Sequence, residues 1–132
     1  MTAELKTLMD SLASEFHTTC EPFRKGYSMT IDIGGGRTQT IRALIRVNAE
    51  AQQILLIYTP VGKYDSYVDL TGLLARNLET IYARVALLDQ NIVVVAGSLL
   101  SETSVMDARI AVQEVARFGD RLERELFGVD RN

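Results

Sequence analysis

His17 and Cys20 are the two side chains of this sequence best suited to metal ligation or to a nucleophile and base pair. A structural zinc site wants four N or S ligands, and the chain contains one histidine and one cysteine. Cys20 therefore reads as a small apolar group. Gly34-Gly35-Gly36-Arg37 has the composition of a phosphate-cradling loop, but such loops deliver their amides at a helix N-terminus. Here both flanks alternate like strands, which makes the glycines a hairpin turn. Asp65 and Asp69 are four apart, and Glu50, Asp89 and Asp107 sit in turns or at a cap. Paired carboxylates can do general acid and base work, yet nothing in their spacing brings two of these together, and solvated surface positions are expected. Arg42 and Arg46 share a strand face, where pairing with acidic neighbours is expected. Tyr58, Tyr64 and Tyr67 gather near Lys63, a composition favoured in protein contacts. The reading is of a protein without catalytic residues, cofactor or metal.

These side chains have to be positioned by elements, and the stretch from Leu70 to Leu100 organises the rest. A short apolar helix beginning near Asp69 leads to a strand in which Ile81, Ala83, Val85 and Leu87 alternate with Tyr82, Arg84 and Ala86. Asp89-Gln90-Asn91 turns the chain, and Ile92 to Ala96 is rich in β-branched residues that suit a pleated sheet. Both runs carry too much apolar surface to stand in water as an isolated hairpin, so helices must cover them.

Before that stretch, Leu5, Leu8, Met9, Leu12 and Phe16 recur at spacings of three and four, an amphipathic helix with Glu4, Lys6, Asp10 and Glu15 outside and Thr2 as its cap. Pro22 discourages its continuation. A strand from Lys25 to Ile33 turns Tyr27, Met29, Ile31 and Ile33 one way and Ser28, Thr30 and Asp32 the other. A second strand carries Ile41, Ala43, Ile45 and Val47 on one face. Asn48 to Gln52 is a polar turn. Ile54 to Tyr58 is apolar on both faces, hence central in the sheet or used in an interface, and Pro60 and Gly62 should end it. Lys63 to Tyr67 is an exposed loop.

The last helix runs from Ser104 to Phe127, with Val105, Ala108, Val112, Val115, Gly119, Leu122 and Leu126 in one stripe. Ser104 with Asp107 resembles a capping arrangement. Gly119 inside a helix costs roughly 1 kcal/mol against Ala, so close packing on the sheet is expected there. The order is helix, three strands, helix, two strands, helix: an α+β fold with a five-stranded, mainly antiparallel sheet, read as one domain over residues 1–132.

Composition narrows the function classes. With 47% apolar and 23% charged residues in 132, the chain is an ordinary globular protein long enough to bury a core without staples. Fourteen basic against 17 acidic residues give a formal charge of -3. A pI of about 5.1 argues against a nonspecific nucleic-acid grip. The single cysteine forbids an internal disulfide and fits a reducing compartment. With no signal-peptide pattern and no run of about 18 apolar residues, a cytoplasmic protein without membrane insertion is expected.

Leu73-Leu74-Ala75-Arg76-Asn77, the alternating strand, Asp89 in its turn, Leu99-Leu100 and a closing helix with Phe118 and Leu122 together resemble the YbjN-like and class I type III secretion chaperone superfamily. The likeness covers nearly the whole chain, and Leu73, Leu74 and Asn77 stand where that family's structural "Leu-Leu, two residues, Asn" pattern closes the second helix. Leu78-Glu79-Thr80 departs from the aromatic or glycine-rich piece that often follows in secretion chaperones. The resemblance implies a homodimer that binds protein rather than performing catalysis. Such chaperones hold an extended effector segment through apolar patches and an added strand. Leu5, Leu8, Leu12, Phe16, Tyr64 and Tyr67 are the contacts expected for such a partner, while a core role is the competing reading of the first-helix stripe. A YbjN-like regulatory or stress-response binding domain is the alternative, and a small-molecule enzyme fits less well.

Overall fold

A computed structural model describes residues 3–128. The chain order is α1 (Ala3–Glu15), β1 (Glu21–Phe23), β2 (Gly26–Gly34), β3 (Arg37–Val47), β4 (Gln53–Lys63), α2 (Leu70–Ala75), β5 (Arg84–Leu88), β6 (Asn91–Leu99) and α3 (Val105–Phe127). A 3-10 turn over Arg76–Glu79 extends α2, and a second over Leu100–Glu102 leads into α3. All pairings are antiparallel in one sheet of order β1-β2-β3-β4-β6-β5. The expected α+β architecture is present, and β4, apolar on both faces, lies inside the sheet between β3 and β6. Thr2, expected to cap α1, lies outside the described residues.

The strands differ from the expectation in three respects, each with an identifiable physical reason. Among the described residues the sheet has six strands rather than five. The extra one, β1, is three residues long at the edge, a position where Pro22, lacking an N–H, is tolerated. Next, β4 runs on to Lys63 instead of stopping at Pro60, because the register shifts between Pro60 and Gly62 and the irregularity absorbs the proline. Finally, β5 begins at Arg84, not Ile81, because the amides of Ile81, Tyr82 and Ala83 bond to Glu114 instead of to the sheet.

Turn chemistry places the strands. Gly34, Gly35 and Gly36 have φ of 97°, 64° and 74°, the left-handed values a β2–β3 hairpin demands. Asp89 and Gln90 take φ of 50° and 67°, and Leu88 pairs with Asn91, so the β5–β6 turn is a two-residue type I′ connection. Arg42 lies over the Phe23 ring at 4.1 Å, so it stacks on an aromatic face where pairing with an acid was expected.

The core gathers between the helices and the sheet. Leu5, Met9 and Leu12 of α1, Met29, Ile31 and Ile41 of β2 and β3, Leu55 and Ile57 of β4, Ile92 and Val94 of β6, and Val112, Val115, Phe118 and Leu122 of α3 form one cluster. At about 1.5–3 kcal/mol for each large side chain fully buried, this cluster is the main term holding the helices down. Ser104 caps α3 through a full capping box: its hydroxyl accepts from the Asp107 N–H at 3.0 Å while the Asp107 carboxylate accepts from the Ser104 N–H. Gly119 is buried where α3 crosses β4. A Cβ there would come within 2.3 Å of Thr59 Cγ2, the close approach expected of a glycine in a helix.

Candidate functional site

The side chains with chemical potential have structural employment. Asp69 caps α2 by accepting the Gly72 N–H at 3.1 Å, and Asp65 accepts the Tyr67 N–H at 2.9 Å, so these carboxylates hold turns. His17 is exposed in the turn after α1 with φ of 55°. Burial is the leading cause that pushes the Cys20 thiol up, which leaves less of it as the nucleophilic thiolate. Among the described residues no group of three or more His, Cys, Asp or Glu could hold a metal. Nor is any described helix long and apolar enough to cross a membrane. Arg37, beside the glycine turn, donates to Asp120 on α3 at 3.1 and 3.3 Å and so pins the hairpin to the helix.

The six residues expected to contact a partner separate by depth. Leu5 and Leu12 are fully buried and Leu8 nearly so, while Phe16 is half-buried against the core. Leu8 also lines a groove of about 510 Å³ with Ser11, Leu100 and Val105, where α1 meets the start of α3. Tyr64 packs partly against the core, and its N–H donates to the Gln90 carbonyl at 2.9 Å. Tyr67 is 94% exposed. Of the helix-closing pattern, Leu73 is buried, Leu74 is exposed, and Asn77 accepts the Val85 N–H through Oδ1 at 2.6 Å. That asparagine thus satisfies one amide on the outer edge of β5.

Among the described residues, several of the exposed large apolar side chains fall in the α2–β5 segment. Leu74, Leu78, Ile81, Tyr82 and Leu87 are 60, 92, 74, 56 and 50% exposed. Periodicity placed Ile81 and Leu87 among strand residues that helices must cover. The sheet does not reach Ile81, and Leu87 lies on the edge strand, so neither is covered.

Glu114, at the middle of α3, explains the shape of this segment. Its carboxylate accepts the N–H groups of Ile81, Tyr82 and Ala83 at 2.9, 2.7 and 2.6 Å. Burial acts to raise its pKa, but the three backbone donors outweigh that and hold the carboxyl below the usual range. Arg76 pairs with Glu79 and with Glu125, and Arg121 with Glu79 at 3.7 Å, so α2's extension is tied to α3 by charge. The result is an apolar strip presented by a backbone that is anchored from behind.

Comparison with solved structures places this arrangement. Over 88% of this chain and 97% of the matched one, it superposes on the Yersinia pestis type III secretion chaperone SycH, solved in complex with a stable fragment of YscM2, with a TM-score of 0.57 and 16% identity. Over 92% and 94%, it superposes on the HopA1-SchA chaperone–effector complex with a TM-score of 0.64 and 12% identity. The chain has the secretion-chaperone fold. No family model matches its sequence, and no curated protein does. At such identities the likeness is one of fold alone.

Proposed function

We propose that the protein is a non-catalytic, dimeric chaperone-like module that holds an extended segment of a protein partner. The observation that carries this is the uncovered strip of Leu74, Leu78, Ile81, Tyr82 and Leu87 on a secretion-chaperone fold. A contiguous stretch of sequence that leaves this much apolar area in water marks a protein interface. A second copy fits it best, because the strip sits on an edge strand and a short helix, which two-fold symmetry can bring against their own equivalents. Both edges of β4 are paired, with β3 and β6, which supports the outer strand β5 over β4 for edge-to-edge contact.

The partner segment then has the remaining apolar openings. Of the six expected contacts, Leu8 at the α1–α3 groove, the half-buried Phe16 and the exposed Tyr67 are within a partner's reach, whereas Leu5 and Leu12 support the groove from below. The solved relatives, captured with an effector or with a protein fragment, support a protein occupant. The test is light scattering combined with co-expression beside the products of neighbouring genes. A dimer that shields an otherwise protease-sensitive segment of one of those products is expected. A monomer at high concentration that shields none of them would end the proposal.

A further inference from the structure

A cavity of about 260 Å³ lies where the β1–β2 turn and the end of β5, from opposite ends of the strand order, both reach the middle strands β3 and β4. The sheet therefore curls there. The more buried part of the lining is apolar, with Phe23, Leu44, Tyr58 and Leu88. The exposed part is charged: Arg24, Lys25 and Arg46 face a single carboxylate, Asp89. Phe23 pairs with Gly26, so Arg24 and Lys25 form the two-residue turn between them. Gly26 lets that turn lie directly on β3, since a Cβ there would fall 1.9 Å from the Ala43 carbonyl oxygen.

Four cations meet at this place without an acid to balance them. Arg24 and Arg42 lie over the same Phe23 ring, at 5.2 and 4.1 Å from its centroid. Among the described residues none of Arg24, Lys25, Arg42 and Arg46 makes an ion pair or a side-chain hydrogen bond, whereas Lys6, Arg37, Arg76, Arg109, Arg121 and Arg124 each have a carboxylate partner. Arg42 also keeps its Nε buried without an acceptor. An N–H of a charged group in that state is costly, and stacking on a ring does not supply the missing acceptor. In a chain of formal charge -3, positive charge left over at one concave place raises the local concentration of anions.

We propose that this cavity binds an aryl phosphate, with the phosphate at Arg24, Lys25 and Arg46 and the ring against Phe23, Leu44, Tyr58 and Leu88. Charge selects the phosphate. Three cations against one carboxylate leave the lining at +2, and Arg42 adds to the potential through the Phe23 wall on which it stacks. A phosphate monoester carries about -1.5 to -2 at pH 7 and has three strong acceptor oxygens for guanidinium and ammonium donors, whereas a monocarboxylate would neutralise half of the lining. Size and wall chemistry select the organic part. The cavity is smaller than the roughly 300–1,000 Å³ of pockets for drug-sized ligands, which limits the body to about one ring, and the Phe23 and Tyr58 rings favour an aromatic one. The site rests on charge and size, and stands or falls independently of the protein-binding reading.

The test titrates the full-length 15N-labelled protein with phenyl phosphate at neutral pH. Saturable shifts of the Gly26, Leu44 and Leu88 amides are expected, with an affinity that falls as salt rises. Inorganic phosphate has no ring to bury and should bind at least about tenfold more weakly. Lys25→Ala combined with Arg46→Ala removes two exposed side chains and should weaken phenyl phosphate by about tenfold or more. Asp89 has φ of 50°, a value asparagine also tolerates, so Asp89→Asn keeps the turn and removes the opposing charge. That variant should bind a few-fold more tightly, a gain that a purely structural aspartate would not give. N-acetylphosphotyrosine amide separates the two sources of the ligand: binding as tight as phenyl phosphate assigns the site to a modified side chain of a polypeptide, and exclusion assigns it to a free ester. Equal affinity for inorganic phosphate, unchanged binding in the Lys25→Ala, Arg46→Ala variant, no gain from Asp89→Asn, or shifts spread over the arginines of α3 would overturn the proposal.

Discussion

Glu114 is the residue on which most of the local geometry turns, since one carboxylate replaces a sheet partner for three successive amides. Glu114→Gln keeps the size but leaves a neutral acceptor. Hydrogen bonds to a charged acceptor contribute about 1.5–3 kcal/mol each when shielded, and solvent access lowers that here, so a total loss of about 1–2 kcal/mol in urea unfolding at pH 7 is expected. Because the folded-state pKa is lowered, the carboxylate's contribution is complete above its ordinary value and disappears as pH falls through the folded one. The parent and the variant should therefore converge in stability in acid; a gap that stays constant down to pH 2 would refute the role. Glu123 has the opposite sign: burial first, then Asp120, push its carboxyl up, against a bond from Gln39. Its ionised form costs stability above the raised value, so Glu123→Gln should raise Tm at pH 7 and lose that advantage as pH falls. Neither role was legible in the sequence. The acceptor and its donors are 31 to 33 positions apart, and periodicity reports which face a residue occupies, not what it meets there.

At the scale of elements, α3 is defined by signals that lie within one or two turns, and those were readable. The Ser104 and Asp107 reciprocal cap is present, and the buried positions Ala108, Val112, Val115, Gly119 and Leu122 follow the stripe read from spacing. Ser104→Ala should cost about 1 kcal/mol in urea unfolding, the usual value of an N-cap; no change would mean that packing alone sets the helix start. Gly119 gives a sharper test, because helix propensity and packing disagree in sign. Alanine would add roughly 1 kcal/mol of helix preference. Its Cβ, however, would press on Thr59, which is held by an accepted bond from Gln39 at 2.9 Å and a donated one to the Thr40 carbonyl at 2.6 Å. With overpacking costing about 1–3 kcal/mol, Gly119→Ala should lower the urea midpoint. The strand ends were less legible for the reverse reason. Alternation continues through Ile81 to Leu87 in the sequence, and only a helix distant along the chain decides that pairing starts at Arg84.

For the whole molecule, folding and assembly draw on different apolar residues. The core leucines of α1 and the stripe of α3 are consumed within the chain, whereas Leu78 and Ile81, at 92 and 74% exposure, contribute almost nothing to it. Substituting both with aspartate therefore leaves the isolated fold nearly unchanged and removes apolar area where a second copy would sit. Hot-spot residues near the centre of an interface account for about 2 kcal/mol or more apiece, so the pair should weaken dimerisation by roughly a thousandfold. Association also stabilises the folded state by mass action, which makes Tm rise with protein concentration only while a dimer forms. Parent protein should show that rise and sediment as a dimer; the Leu78→Asp, Ile81→Asp variant should sediment as a monomer with a Tm independent of concentration and equal to the parent's value at high dilution. A variant with a much lower Tm at every concentration would place these two side chains in the fold itself. A variant that still sediments as a dimer would move the interface elsewhere on the surface.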